Sequence, residues 1–146
     1  MTPAVRDGLH DEVEGRLRAS GQRYTSQRRS LVEALRRLER PAAAQDLATR
    51  RIPQSSTYRN LAVLEHAGVV RRVMTEDGVG RFELAEDLTE HHHHLVCRVC
   101  GAVEDVTVPA RLERSVERAL ADAASGAGFE GVSHRFDLVG TCRNCR

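Results

Sequence analysis

Apolar residues fall every four positions at Leu9, Val13 and Leu17, a spacing that predicts a short amphipathic helix ended by Ser20-Gly21. Leu31, Ala34, Leu35 and Leu38 line one face of a second helix, which Thr25 or Ser26 caps and Pro41 stops. "AAAQDLAT", Ala42 to Thr49, predicts a third short helix with Leu47 inward. In "RRIPQSSTYRNLAVLEHAG", residues 50–68, Pro53 and Ser55 mark a start, Leu61 and Leu64 an inner face and Gly68 a stop. After Gly68 the period changes from near four to two. "VVRRVMTEDGVGRFELA" sets an Asp77-Gly78 turn between two strand-like runs and predicts a β-hairpin. Polar "AEDLTE", residues 85–90, serves as a linker. Beyond it, "HHHHLVC", "GAVEDVTV" and "GVSHRFDLVG" predict three strands, and Leu112, Val116 and Leu120 mark a helix from about Pro109 to Ser125.

Three helices followed by a hairpin is the order of a winged helix-turn-helix, and the second half reads β-β-α-β. The expected class is α+β, with a winged-helix unit at residues 1–84, a hinge at 85–90 and a second unit at 91–146. A length of 146 residues suits one ordinary domain or two very small ones. Aromatics make up only 3% and Trp is absent, so two small cores, or a core shared with a second subunit, fit better than one large core. Charge is uneven: residues 1–85 carry 15 Arg against 11 acids, and residues 86–146 carry 7 Arg against 10. A basic half and an acidic half imply separate partners. No run of about 18 apolar residues exists and the N-terminus lacks the apolar core of a signal peptide, so the expectation is a cytoplasmic protein with no membrane partner. There the four cysteines read as metal ligands rather than disulfides.

Their spacing strengthens that reading. Cys97-Arg-Val-Cys100 and Cys142-Arg-Asn-Cys145 are two C-x-x-C knuckles separated by 41 residues. Each knuckle brings two thiolates to one ion, and the pair makes a closed, tetrahedral, structural zinc site. The four histidines need another account, because four thiolates already fill one zinc. On an extended strand His92 and His94 share one face, while His91 and His93 share the other. One strand can thus serve two sites at once; a solvated strand edge is the other reading. Glu83, Glu104, Asp105, Glu113 and His134 are the available partners, and mixed His and carboxylate ligands suit Zn, Fe, Mn, Co or Ni alike.

"RYTSQRRSLVEAL", "SSTYRNLAVLEHAGVV", "RFEL", "HHHHLVCRVCG" and "CRNC" occur in an order that resembles the ferric uptake regulator family of metal-dependent repressors, from about Gly21 to Cys145. The resemblance implies a winged-helix domain joined to a small α/β dimerisation domain, working as a homodimer on a palindromic double-stranded DNA operator. It implies structural Zn2+ on Cys97, Cys100, Cys142 and Cys145. It implies a sensing site at the hinge formed by Glu83, His92 and His94 with Asp105, and a second site formed by His91, His93, His134 and Glu113. The second divalent metal is Zn2+ or Fe2+, with Mn2+ or Ni2+ as further candidates. Two departures stand out. Iron- and peroxide-sensing members bring a His from the DNA-binding domain, but Glu39-Arg40-Pro41-Ala42 offers none, and zinc-sensing members often use a Cys where this chain has Ala85. Glu113 also stands one position from the family's carboxylate. His10 is a source of the missing nitrogen or else a partnerless surface residue.

The helix from about Ser55 to Ala67 is the expected recognition helix, entering the major groove by its first turn. Ser55, Ser56, Thr57, Tyr58 and Arg59 supply hydroxyls and a guanidinium there, and by resemblance Tyr58 and Arg59 are the pair that contacts bases and backbone. Core packing beside Leu61 is the other reading of Tyr58. Arg23, Arg28 and Arg29 are placed to grip phosphates or to face water, and His66 faces water. The leading expectation is a regulator and not an enzyme. A peroxide-sensing repressor of the same family, a zinc hydrolase built on His92, His94 and Glu83, and a zinc buffer are the rivals.

Overall fold

In the computed structural model, which describes residues 8–38 and 40–146, the four-residue spacing of Leu9, Val13 and Leu17 becomes α1 (Leu9–Ala19), with all three buried. Residues 1–7 of the expected first domain, and Glu39 of the stretch without an imidazole, lie outside the described residues. α2 (Ser26–Arg37) starts where the Thr25 hydroxyl accepts the Arg28 backbone N–H, the satisfied cap that the sequence predicts. The expected third helix is shorter. Ala42–Ala43 form β1, leaving α3 only Ala44–Leu47. Ala42 and Ala43 pair with Phe82 and Arg81, so a free sheet edge overrides alanine's helical preference.

α4 (Gln54–His66) buries Thr57, Leu61 and Leu64, and closes as the Val69 N–H reaches the Leu64 carbonyl across Gly68. β2 (Val70–Met74) and β3 (Gly80–Leu84) make the predicted hairpin, turning over Gly78 at φ +73°. The first sheet has the order β1-β3-β2. "AEDLTE" is less of a linker than its polarity suggests. Glu86–Leu88 wind into a 3-10 turn, Leu88 enters the core of the first half, and Arg16 of α1 clamps Asp87 at 2.5 Å.

The second sheet holds β4 (His93–Cys97), β5 (Val103–Val106) and β6 (Asp137–Gly140), with α5 (Ala110–Gly126) crossing between the last two. β4 lies in the middle, antiparallel to β5 and parallel to β6. The paired segments are shorter than the predicted strands, so His91, His92 and His134 stand on the approaches to β4 and β6. One buried cluster runs from Leu9 to Leu88, whereas no residue of α5 is buried. No helix among the described residues is long and apolar enough to cross a membrane.

Candidate metal centres and DNA-facing helix

Three groups of ligand atoms converge, each within 4.8 Å: the four cysteines; His91, His93, Glu113 and His134; and Glu83, His92, His94 and Asp105. Sheet register explains the third group. His94 stands directly across from Asp105 on β5 and from Asp137 on β6, so three neighbouring strands present one row on one face. β3 brings Glu83 to that face from the first sheet. Its Oε2 lies 3.0 Å from His94 Nε2 and 3.3 Å from His92 Nε2, and Asp105 Oδ1 lies 3.9 Å from both nitrogens. The outer nitrogens are already used: His92 Nδ1 meets the Glu90 carbonyl at 2.9 Å, and His94 Nδ1 meets Asp137 at 3.1 Å. Each ring is thereby fixed with Nε2 inward, the arrangement typical of metal-ligating histidines.

The electrostatics of the group are those of a cation site. Burial disfavours the charged imidazoles, but hydrogen bonds and charge from Glu83 outweigh it and raise both His92 and His94. Burial also opposes the Glu83 carboxylate, yet the two histidines and Arg71 hold it well below the usual range. Burial raises Asp105, helped by the nearby Glu83 charge. Asp105 Oδ1 is buried and accepts no hydrogen bond among the described residues. Such an oxygen carries a desolvation cost that a bound cation removes. The donor set therefore fits a divalent metal.

On the other face, Glu113 is the hub. Its Oε1 lies 2.9 Å from His91 Nε2 and 2.6 Å from His134 Nε2, and its Oε2 lies 3.0 Å from His93 Nε2. His134 Nε2 is buried and makes no hydrogen bond among the described residues, and it lies within 4.8 Å of the other three ligand atoms of the group. Glu86 contacts His91 Nδ1, and Phe136 stacks on His93 at 4.0 Å between ring centres. Glu113 falls in the cluster despite its one-position offset, because the first turn of α5 faces the approach to β4. Glu104 joins neither group: it lies on the face away from Glu83, and on the His93 face it pairs two residues further along β4, opposite Leu95.

The cysteines are gathered by β4, the Gly101 turn and the end of β6. Backbone N–H groups of Cys100, Cys142 and Val99 bring the Cys97 thiol down to about 6, while hydrogen bonding among the crowded sulfurs pushes Cys145 up to about 12. Cys97 forms a thiolate readily while Cys145 resists until a cation neutralises it, which suits a four-thiolate zinc.

On α4, Tyr58 is 51% exposed, which removes the core-packing reading. Ser55 and Arg59 are exposed as well, and Arg59 reaches Ser56 at 3.3 Å. Thr57 must be corrected. Its side chain is wholly buried and its hydroxyl donates to the Ile52 and Pro53 carbonyls at 3.2 and 3.1 Å, so it anchors the helix and is not presented to DNA. Arg23 is exposed, whereas Arg28 is spent on Asn60 and the Arg23 carbonyl, and Arg29 covers the Tyr24 ring. His66 faces solvent as expected. His10 is neither a hinge ligand nor partnerless: it bridges Tyr24 at 2.7 Å and Glu33 at 2.6 Å within the first half.

Sequence reading missed Arg71, Asp137, Glu86 and Asn60. The first was recoverable, because the Asp77-Gly78 turn fixes the hairpin register and places Arg71 opposite Glu83. Asp137 required the parallel register of β6, and Asn60 and Glu86 required the packing of separate elements.

A winged helix coupled to paired His-carboxylate centres and a four-cysteine knuckle defines a metal-responsive DNA-binding repressor. The chain belongs to the ferric uptake regulator family, whose model matches residues 19–139. It is similar to the zinc uptake regulation protein of Mycobacterium tuberculosis, with 34% identity covering 88% of this chain and 98% of that one. It is 30% identical to the ferric uptake regulation protein of Bacillus subtilis, over 92% of this chain and 93% of the relative. In fold it matches the Helicobacter pylori ferric uptake regulator with a TM-score of 0.76, at 20% identity, over 99% of this chain and 97% of that chain.

Proposed function

We propose that this repressor senses a divalent metal through Glu83, His92, His94 and Asp105, keeps structural zinc on Cys97, Cys100, Cys142 and Cys145, and uses His91, His93, Glu113 and His134 as a second metal site. It acts in the cytoplasm as a homodimer on a palindromic operator, with residues 1–84 as the DNA-binding domain, 85–90 as the hinge and 91–146 as the dimerisation domain. Arg23, Ser55, Ser56, Tyr58 and Arg59 face the DNA.

The observation that carries the sensing role is the buried Asp105 oxygen, left without a donor among the described residues while two imidazole nitrogens and a Glu83 oxygen converge on the same spot. Glu83 belongs to the wing hairpin, and the other three to the second sheet and the approach to β4, so the group spans the two halves. A bound divalent ion supplies the positive charge that lets both carboxylates stay ionised side by side. Glu83 then holds the wing against β4, and the recognition helices of the dimer keep one separation. A hundredfold change in DNA affinity needs roughly 2.7 kcal/mol of coupling between the two states. A hydrolase needs an open ligand position, and four converging ligand atoms in a buried group favour the regulatory reading.

The test is operator binding during titration with Zn(II), Fe(II), Mn(II) and Ni(II), with the four-cysteine zinc retained. Glu83→Ala and His92→Ala are expected to lose the metal response while still carrying zinc on the cysteines. Metal-dependent binding that survives in both variants overturns the sensing assignment.

A further inference from the structure

We propose that Arg71 sets the metal preference of the Glu83 cluster, by holding one oxygen of Glu83 so that the cluster offers four single-atom ligands and takes zinc ahead of manganese or iron(II). The proposal rests on the sensing role assigned to that cluster.

Arg71 and Glu83 face each other across the hairpin. Arg71 Nε donates to Glu83 Oε1 at 2.5 Å, while Oε2 is the oxygen turned toward His92 and His94. The guanidinium is held from a second side as well, with Nη1 3.4 Å from Glu86 Oε2, and the Arg71 side chain is only 16% exposed. A charge-assisted bond in so sheltered a place is among the stronger polar contacts. Chelation by a carboxylate requires both oxygens, and Arg71 occupies one, so Glu83 is a one-oxygen ligand. Each histidine likewise offers Nε2 alone, because its Nδ1 is engaged. Asp105 completes the set. The side chains of Glu83, His92, His94 and Asp105 are at most 9% exposed, which limits the water available to enlarge a coordination sphere. Zinc is satisfied by four nitrogen and oxygen ligands, whereas manganese favours octahedral oxygen-rich sites and iron(II) uses additional open positions.

The experiment uses Co(II) as a spectroscopic probe in the full chain with its four-cysteine zinc retained, and with His134→Ala throughout to disable the second site. The parent is expected to give the intense visible bands of four-coordinate Co(II). Arg71→Met fills similar space but frees Oε1. Its Co(II) bands are expected to weaken, and its preference for Zn(II) over Mn(II) to narrow by about tenfold, the low end of what outer ligand-orienting contacts contribute. Using the ratio cancels the general gain in cation affinity from removing a positive charge. Arg71→Gln places an amide nitrogen where Arg71 has Nε, and is expected to keep the parent spectrum and ratio even if Arg71→Met fails to fold. Unchanged bands and ratio in Arg71→Met, or a loss of both in a folded Arg71→Gln, overturn the Arg71 assignment. If adding His92→Ala leaves the parent spectrum intact, the cluster does not bind the ion and the sensing role itself fails.

Discussion

Glu33 shows how a single residue records its surroundings. Arg36, and then His10, hold its carboxyl down to about 2. A carboxyl depressed in the folded chain adds stability above its ordinary pKa of 4.5 and loses it as pH falls toward 2. Glu33→Gln should therefore lower the thermal midpoint at pH 7 by the equivalent of less than about 1 kcal/mol, since the pairs lie near the surface. The gap from the parent should close between pH 4.5 and pH 2, and a gap independent of pH would show that these pairs contribute nothing. Gly101 is a second case. Its φ is +70°, and a Cβ there would come within 2.2 Å of the Asp77 carboxylate at the wing tip. Gly101→Ala is expected to cost about 1–2 kcal/mol from the left-handed backbone alone. A lower melting temperature and faster loss of zinc to a chelator are the readouts. The approach of the wing tip to Gly101 lies in no local pattern of the sequence.

Among the elements, α4 separates two tasks that its sequence runs together. Residues 55–59 read as one polar run, yet the helical period sends Thr57 inward with Leu61 and Leu64 and leaves Tyr58 and Arg59 outside. Thr57→Val deletes a buried hydroxyl that serves two carbonyls, so it should destabilise the chain by about 1–2 kcal/mol while a folded sample still recognises the operator. Arg59→Ala should do the reverse, losing specific binding with zinc content and melting unchanged. Electrophoretic mobility shifts and thermal melts on both variants separate the roles. Periodicity made α1, α2, α4, the hairpin and α5 legible, because each repeats apolar positions at the period of its element or turns on a Gly. β1 was not legible, since nothing in Ala42-Ala43 signals the free edge of β3 that captures it. The His alternation was legible for a similar reason: it follows from strand geometry, whereas Asp137 depends on which strands lie adjacent and in what register.

For the molecule as a whole, the contrast between its halves points to a second copy. The first half has a continuous core, but α5 repeats apolar positions at Leu112, Val116 and Leu120 and buries none of its residues. Leu95 and Leu138 sit side by side on β4 and β6, 41% and 40% exposed. A helix of 17 residues gains its stability mainly by covering an apolar face, and each leucine left in water forgoes roughly 2 kcal/mol. A partner chain that covers α5 and this sheet face supplies the missing core, which is why 3% aromatics and no Trp suffice. Leu120→Glu places a charge in that surface without replacing any of the twelve metal-ligand candidates. Sedimentation should then show a monomer at concentrations where the parent is dimeric, with the four-cysteine zinc still bound. Operator affinity should fall about a hundredfold or more, because the two half-sites would no longer be engaged by linked helices. A dimer with parental affinity would mean that another surface joins the two chains.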